Sequence, residues 1–229
     1  MLLDSLHSAL NNPMRYILLL LCLFPAPLFA HTGHDTLGFA NGFTHPVFGP
    51  DHLLAMLSVG ILSAQMGGRA IWTVPLAFVC CMLVGGLWGM FGMPLFSVEI
   101  GIALSVLALG LAITTEKKFP VLLTMAGVAF FALFHGHAHG SEMPGSAQPA
   151  LYALGFILGT TAIHLLGVAM GWASTRHPGG ALRLRWAGLC IALLGVFFVW
   201  QATLGKPVGS TLSSTAPPSV TSSCANNRL

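Results

Sequence analysis

Six apolar stretches, at about 40–65, 71–91, 94–114, 119–138, 149–173 and 183–204, dominate what this chain can become. Each holds enough residues to cross about 30 Å of hydrocarbon as a helix. Lipid offers no partner to a peptide N–H or C=O, so a segment that spans it must bond its own backbone. A helix does this within one stretch. The expected fold is therefore all-α and polytopic, with six transmembrane helices. The composition agrees, with 55% hydrophobic residues, 7% charged residues and a mean hydropathy of +0.82. A soluble domain is about one-quarter charged. The net charge of +3 comes from basic residues in short loops and implies no nucleic-acid partner. The partners it does imply are membrane lipid and whatever the interior binds.

The two ends read differently from the middle. Met14-Arg15, the apolar run Ile17–Leu23 and the break Pro-Ala-Pro-Leu28-Phe29-Ala30 have the order of a secretory signal peptide. Residues 1–30 are assigned to it, with Met14 as a second candidate start. Cleavage after Ala30 would leave His31-Thr-Gly-His34 as the mature terminus, readable either as an exposed chelate or as a plain polar end. Residues 31–205 are assigned to a six-helix transmembrane domain, and the Ser/Thr-rich stretch 206–229 reads as a disordered tail. Orientation follows from charge. With the mature N-terminus outside, Arg69, Lys117, Lys118, Arg176, Arg183 and Arg185 all fall in inner loops, and the two outer loops hold no Lys or Arg. That is a positive-inside pattern for a bacterial cytoplasmic (inner) membrane, with both mature termini periplasmic.

Within the first apolar stretch lies His45-Pro-Val-Phe-Gly-Pro-Asp51-His52. A carboxylate and two imidazoles are costly in hydrocarbon and mark a functional site by default. Pro46 and Pro50 each lack an N–H, so a break in the first helix is expected near Gly49-Pro50. Broken spans of this kind commonly bind ions in transporters. In one straight helix His45 and His52 would share a face and Asp51 would point roughly 100° away. A break at Gly49-Pro50 could instead let all three converge.

Topology brings further polar residues to the same outer level. Glu99 lies in the first turns of the third span, and Phe134-His135-Gly-His137-Ala-His139-Gly140 ends the fourth. His135 and His139 are one turn apart, with His137 opposed if the helix continues; Gly136 and Gly140 allow a flexible ladder instead. His164 on the fifth span reads equally as a packed histidine or part of an exit path. Imidazoles with one or two carboxylates suit Ni²⁺, Co²⁺, Zn²⁺ and Cu²⁺. The oxygen ligands that Mg²⁺ or Ca²⁺ need are missing. Five cysteines form no CxxC pair, and four lie in apolar segments as small buried hydrophobes.

These motifs resemble the HupE/UreJ family of nickel/cobalt permeases. The resemblance runs from His31 to about Gly205 and rests on HPVFGPDHLLAM, VEIGIALSVLALGL, FHGHAHGSEMP and the His-x-Gly-His start. It implies secondary uptake of Ni²⁺ or Co²⁺, often for hydrogenase or urease, with no prosthetic group and no catalysis. The metal-handling residues it implies are His45, Asp51, His52, Glu99, His135, His137 and His139, joined by the terminal His31 and His34. The rivals are an intramembrane zinc hydrolase and a periplasm-facing metal sensor or chaperone. A hydrolase would need a fixed metal with an activated water, and the chain contains no HExxH.

Overall fold

The computed structural model describes residues 34–117, 119–145 and 147–204, with side chains from residue 38 onward. These residues form helices α1 (His34–Phe48), α2 (Pro50–Met66), α3 (Ala70–Met90), α4 (Val98–Thr115), α5 (Val121–Ser141), α6 (Pro149–Arg176) and α7 (Gly180–Leu204), with no strand among them. The expected signal peptide, the terminal His31 and the tail lie outside the described residues. His34 opens α1, and its side chain is likewise outside them.

Helices α3 to α7 are each long and apolar enough to cross a membrane. Helices α1 and α2 meet both conditions only as a pair, bent by 83° at Gly49. The break falls where the prolines predict. Gly49, which precedes Pro50, is extended (φ −89°, ψ 108°), as the clash with a proline ring requires. Pro50 then occupies the first turn of α2, where its missing N–H costs nothing. The Leu53 N–H closes that turn on the Gly49 carbonyl at 2.8 Å.

Small residues set the packing. Helix α3 lies against α5, α4 against α7, and α6 against both α1 and α2. At each seam a glycine faces backbone. A Cβ on Gly85 would collide with the Leu133 carbonyl, one on Gly110 with Ala192, and one on Gly60 with the His164 carbonyl. Without a hydrophobic force between helices in lipid, such close backbone approach supplies the dispersion contact that holds a bundle together.

The interior and exterior are both apolar, but the polar side chains concentrate inside. Met56, Val59, Phe78, Met82, Val106 and Ile113 are fully buried, and so are His135, His139, Thr160 and His164. Phe96, Leu122, Leu76 and Leu193 face outward. Apolar surface on this scale suits a lipid environment rather than water. At one end of the bundle Arg185 Nε stands 3.9 Å from Glu116 Oε1, and the Arg176 guanidinium lies 3.9 Å over the Trp172 ring. Trp72, Trp172 and Trp186 are exposed near this basic end, where an interfacial aromatic belt belongs.

Candidate metal centre

The break between α1 and α2, the start of α4 and the end of α5 enclose a cavity of about 520 Å³. His45, Asp51, His52, Glu99, His137, His139 and Glu142 line it. Residues nearly a hundred positions apart thus meet at one level, and His135 lies immediately behind them.

The bend at Gly49 does the first part of this assembly. It ends α1 three residues after His45 and restarts the chain with Asp51 and His52 in the first turn of α2. Asp51 Oδ1 accepts the His52 backbone N–H at 2.8 Å and stands 2.9 Å from His52 Nδ1. An ionised carboxylate only accepts, so Nδ1 carries a proton, and in the neutral ring the His52 Nε2 lone pair is left bare. That Nε2 is buried without a hydrogen-bond partner in the protein. A carboxylate behind an imidazole in this way orients the ring and raises its basicity as a ligand.

The ladder supplies the second part. Helix α5 continues without interruption to Ser141, so the flexible arrangement considered from Gly136 and Gly140 is not what forms. Those glycines instead form the contact face: a Cβ on Gly136 would collide with the Met82 carbonyl and one on Gly140 with the Gly86 carbonyl. Fixing that face toward α3 turns His135 and His139 toward α2. The His52 ring centroid is 4.9 Å from that of His135 and 4.6 Å from that of His139, and His45 is 4.7 Å from His139. His137 borders the cavity apart from these rings, with Nε2 at 2.8 Å from the Met93 carbonyl.

Two more tautomers follow from the same logic. The Met93 carbonyl can only accept, so His137 carries a proton at Nε2, and in the neutral ring its Nδ1 holds the lone pair. Ser105 Oγ donates to the Ile102 carbonyl at 2.6 Å and therefore accepts from His135 Nε2 at 2.9 Å. His135 Nδ1 is then also a bare lone pair. Both Nδ1 atoms, and both ring nitrogens of His139, are buried without a partner in the protein. A buried polar atom left unbonded costs about 1–3 kcal/mol, so a cluster of them points to ligand chemistry. The rings meet edge to face, and among the described residues no three His, Cys, Asp or Glu side chains converge on one point as a closed cage.

Glu142 is the acidic residue of the FHGHAHGSEMP motif, just beyond the ladder. In the structure it caps the end of α5 and meets His45 Nε2 at 3.0 Å, tying α1 to α5 at the cavity mouth. The hydrogen bond to His45 holds its carboxyl below the ordinary carboxylate range, against a smaller opposing effect of burial. The signal was present in the spacing: Glu142 follows His139 by three and His135 by seven, a single helix face. Glu99 borders the cavity from the first turn of α4, which the chain enters through Ser97 in the left-handed region (φ 50°). His177 sits in the loop after α6, away from these groups.

A family model described as HupE / UreJ protein matches residues 19–198. Protein HupE of Rhizobium leguminosarum bv. viciae is 42% identical over 172 residues, covering 75% of this chain and 89% of that protein. No solved structure matches the chain. The matched segment contains every residue of the cavity just described, from the broken first helix to the ladder and Glu142. The chain belongs to the HupE/UreJ family.

Proposed function

We propose that this protein is a secondary transporter that takes up Ni²⁺ or Co²⁺ across the bacterial inner membrane, through six spans in which α1 and α2 count as one broken span. One observation carries the reading. Imidazoles on α2 and α5 with buried, unpartnered ring nitrogens, one of them backed by the Asp51 carboxylate, stand 4.6 to 4.9 Å apart between centroids beside a cavity lined with Glu99 and Glu142. Neutral imidazoles suit borderline divalent metals, and the carboxylates offset a dication's charge where the dielectric is low.

In this reading the outer carboxylates Glu99 and Glu142 attract the ion, and His45 and His137 receive it as it loses water. His52 Nε2, His135 Nδ1 and His139 hold it next, with Asp51 fixing the His52 ring. Side-chain rotations bring two or three of these ligands at a time around the ion, so it is passed on and not stored. His31 and His34 add two further imidazoles that can capture the ion before it enters. The membrane potential favours entry, since moving two positive charges inward gains about 4.6 kcal/mol per 100 mV.

The test is ⁶³Ni accumulation in cells that lack their own nickel uptake, with cobalt and zinc as competitors. Saturable accumulation lost in His52→Ala, and reduced in Asp51→Asn at equal membrane levels, is the expected result. Absence of accumulation together with one tightly retained metal per purified chain would overturn transport in favour of an intramembrane metal hydrolase.

A further inference from the structure

Beneath the cavity the structure carries a second set of buried polar groups. His164 on α6 is 1% exposed, and neither of its ring nitrogens has a hydrogen-bond partner in the protein. Thr160 lies one helical turn before it, fully buried, with Oγ1 3.7 Å from the Met82 sulfur on α3. Met82 is itself fully buried and lies one turn from Phe78. The two helices therefore meet in register, Thr160 against Met82 and His164 against Phe78.

The position of Phe78 connects this set to the outer cluster. Its ring centroid is 5.5 Å from that of His135 and 5.1 Å from that of His164. One apolar ring thus separates the innermost histidine of the ladder from a further unpartnered histidine deeper in the bundle. A packed core histidine ordinarily finds a hydrogen bond for at least one nitrogen. His164 finds none, while a hydroxyl and a thioether accompany it on neighbouring turns. Imidazole, hydroxyl and thioether form a neutral, partly soft donor set for a transition-metal dication. A set with no carboxylate would hold such an ion weakly, as release toward the far side requires.

We propose that His164, Thr160 and Met82 form a second, inner station for a transition-metal cation, with the Phe78 ring as the barrier between it and the outer histidine cluster. The order along the route is then Glu142 and His45, His139 and His52, His135, Phe78, and His164. Passage requires the Phe78 ring to swing aside, which exposes one station to the other only while it is displaced. The proposal rests on the transport reading for its direction but not for its chemistry.

The test uses the full-length protein purified in detergent, with Co²⁺ as the probe. Placing a thiolate at the station, in His164→Cys and separately in Thr160→Cys, should give a thiolate-to-cobalt charge-transfer band above the wild-type baseline. At saturating Co²⁺, His164→Leu should bind one ion fewer per chain than wild type. In proteoliposomes His164→Leu should lose most ⁶³Ni uptake while Co²⁺ binding at the outer cluster persists. A merely structural histidine would produce no such band. Folded cysteine variants with no band, or a His164→Leu protein with unchanged Co²⁺ stoichiometry, would overturn the inner station. A wild-type protein that shows no uptake while His164→Cys still gives the band would refute transport and leave the station standing.

Discussion

Gly136 sits between two histidines of the ladder, and its replacement by alanine separates the two things that α5 does. A Cβ at this position would collide with the Met82 carbonyl and lie 2.8 Å from both the Gly86 nitrogen and the Met82 carbonyl carbon. Ordinary Cβ contacts begin at 3.4 Å, and the atoms met are backbone, which cannot rotate away. Clearing the Met82 carbonyl oxygen, the nearest atom, requires helices α3 and α5 to separate by more than about 1 Å, at an overpacking cost of about 1–3 kcal/mol. The displacement matters more than the energy. It moves His135 relative to its neighbours, and misplacing reacting groups by about 1 Å can cost about a hundredfold. Gly136→Ala should thus lower ⁶³Ni uptake by roughly tenfold to a hundredfold, with a modest fall in thermal midpoint. Two controls bracket it. Gly86→Ala, on the facing helix, meets only the Gly136 carbonyl at 3.6 Å and should be tolerated. Gly127→Ala, two turns earlier on α5, meets nothing within 4 Å and should leave uptake unchanged. Uptake and midpoint in Gly136→Ala equal to wild type would refute the argument that this seam positions the ladder.

Glu142→Gln removes the carboxylate that pairs with His45 at the mouth. The expected effect is a raised KM for Ni²⁺ with kcat little changed, read from uptake across a concentration series. Because His45 holds the Glu142 carboxyl below its usual range, the carboxylate's contribution is complete above the ordinary carboxylate value and is lost only as pH falls through the lowered one. The deficit of Glu142→Gln should therefore persist between about pH 6 and 8 and vanish only in acid. An equal KM in wild type and variant would remove Glu142 from the entry path. Topology is testable with a membrane-impermeant maleimide on intact spheroplasts. Gly145→Cys, in open space on the outer side, should label, and Lys117→Cys at the basic end should label only after permeabilisation. The opposite labelling would invert the orientation.

The sequence revealed the helices and the break because both depend on local chemistry. Long apolar runs have one solution in lipid, and Gly49-Pro50 cannot continue an α-helix without loss. The bend angle was not legible, since 83° is set by how α1 and α2 each pack along α6 through Gly42, Gly155, Gly60 and Gly167. The same holds for the ladder. Glycines at 136 and 140 suggested a loosened turn when judged by helix propensity, where glycine costs about 1 kcal/mol. In the bundle that cost is offset by the contact their missing side chains permit, and tertiary packing decides the conformation.

What the sequence could not show is which nitrogen of each histidine is left without a hydrogen-bond partner. That is decided by acceptors far away in the chain. Met93 lies 44 residues from His137, and Ser105 lies 30 residues from His135. Asp51, adjacent to His52, is the exception, and there the pairing was legible in the motif but its role was not. The residue type suggested a direct ligand, whereas the 2.9 Å contact to Nδ1 casts Asp51 first as the group that orients His52. The distinction has a consequence for substitution. Asparagine can keep a hydrogen bond to the ring but supplies no charge, and its amide can turn to donate to Nδ1 instead, which admits the tautomer protonated at Nε2. Asp51→Asn therefore weakens His52 as a ligand without removing it, and its residual uptake should exceed that of His52→Ala. If the two variants were equally dead at equal membrane levels, Asp51 would have to bind the ion itself.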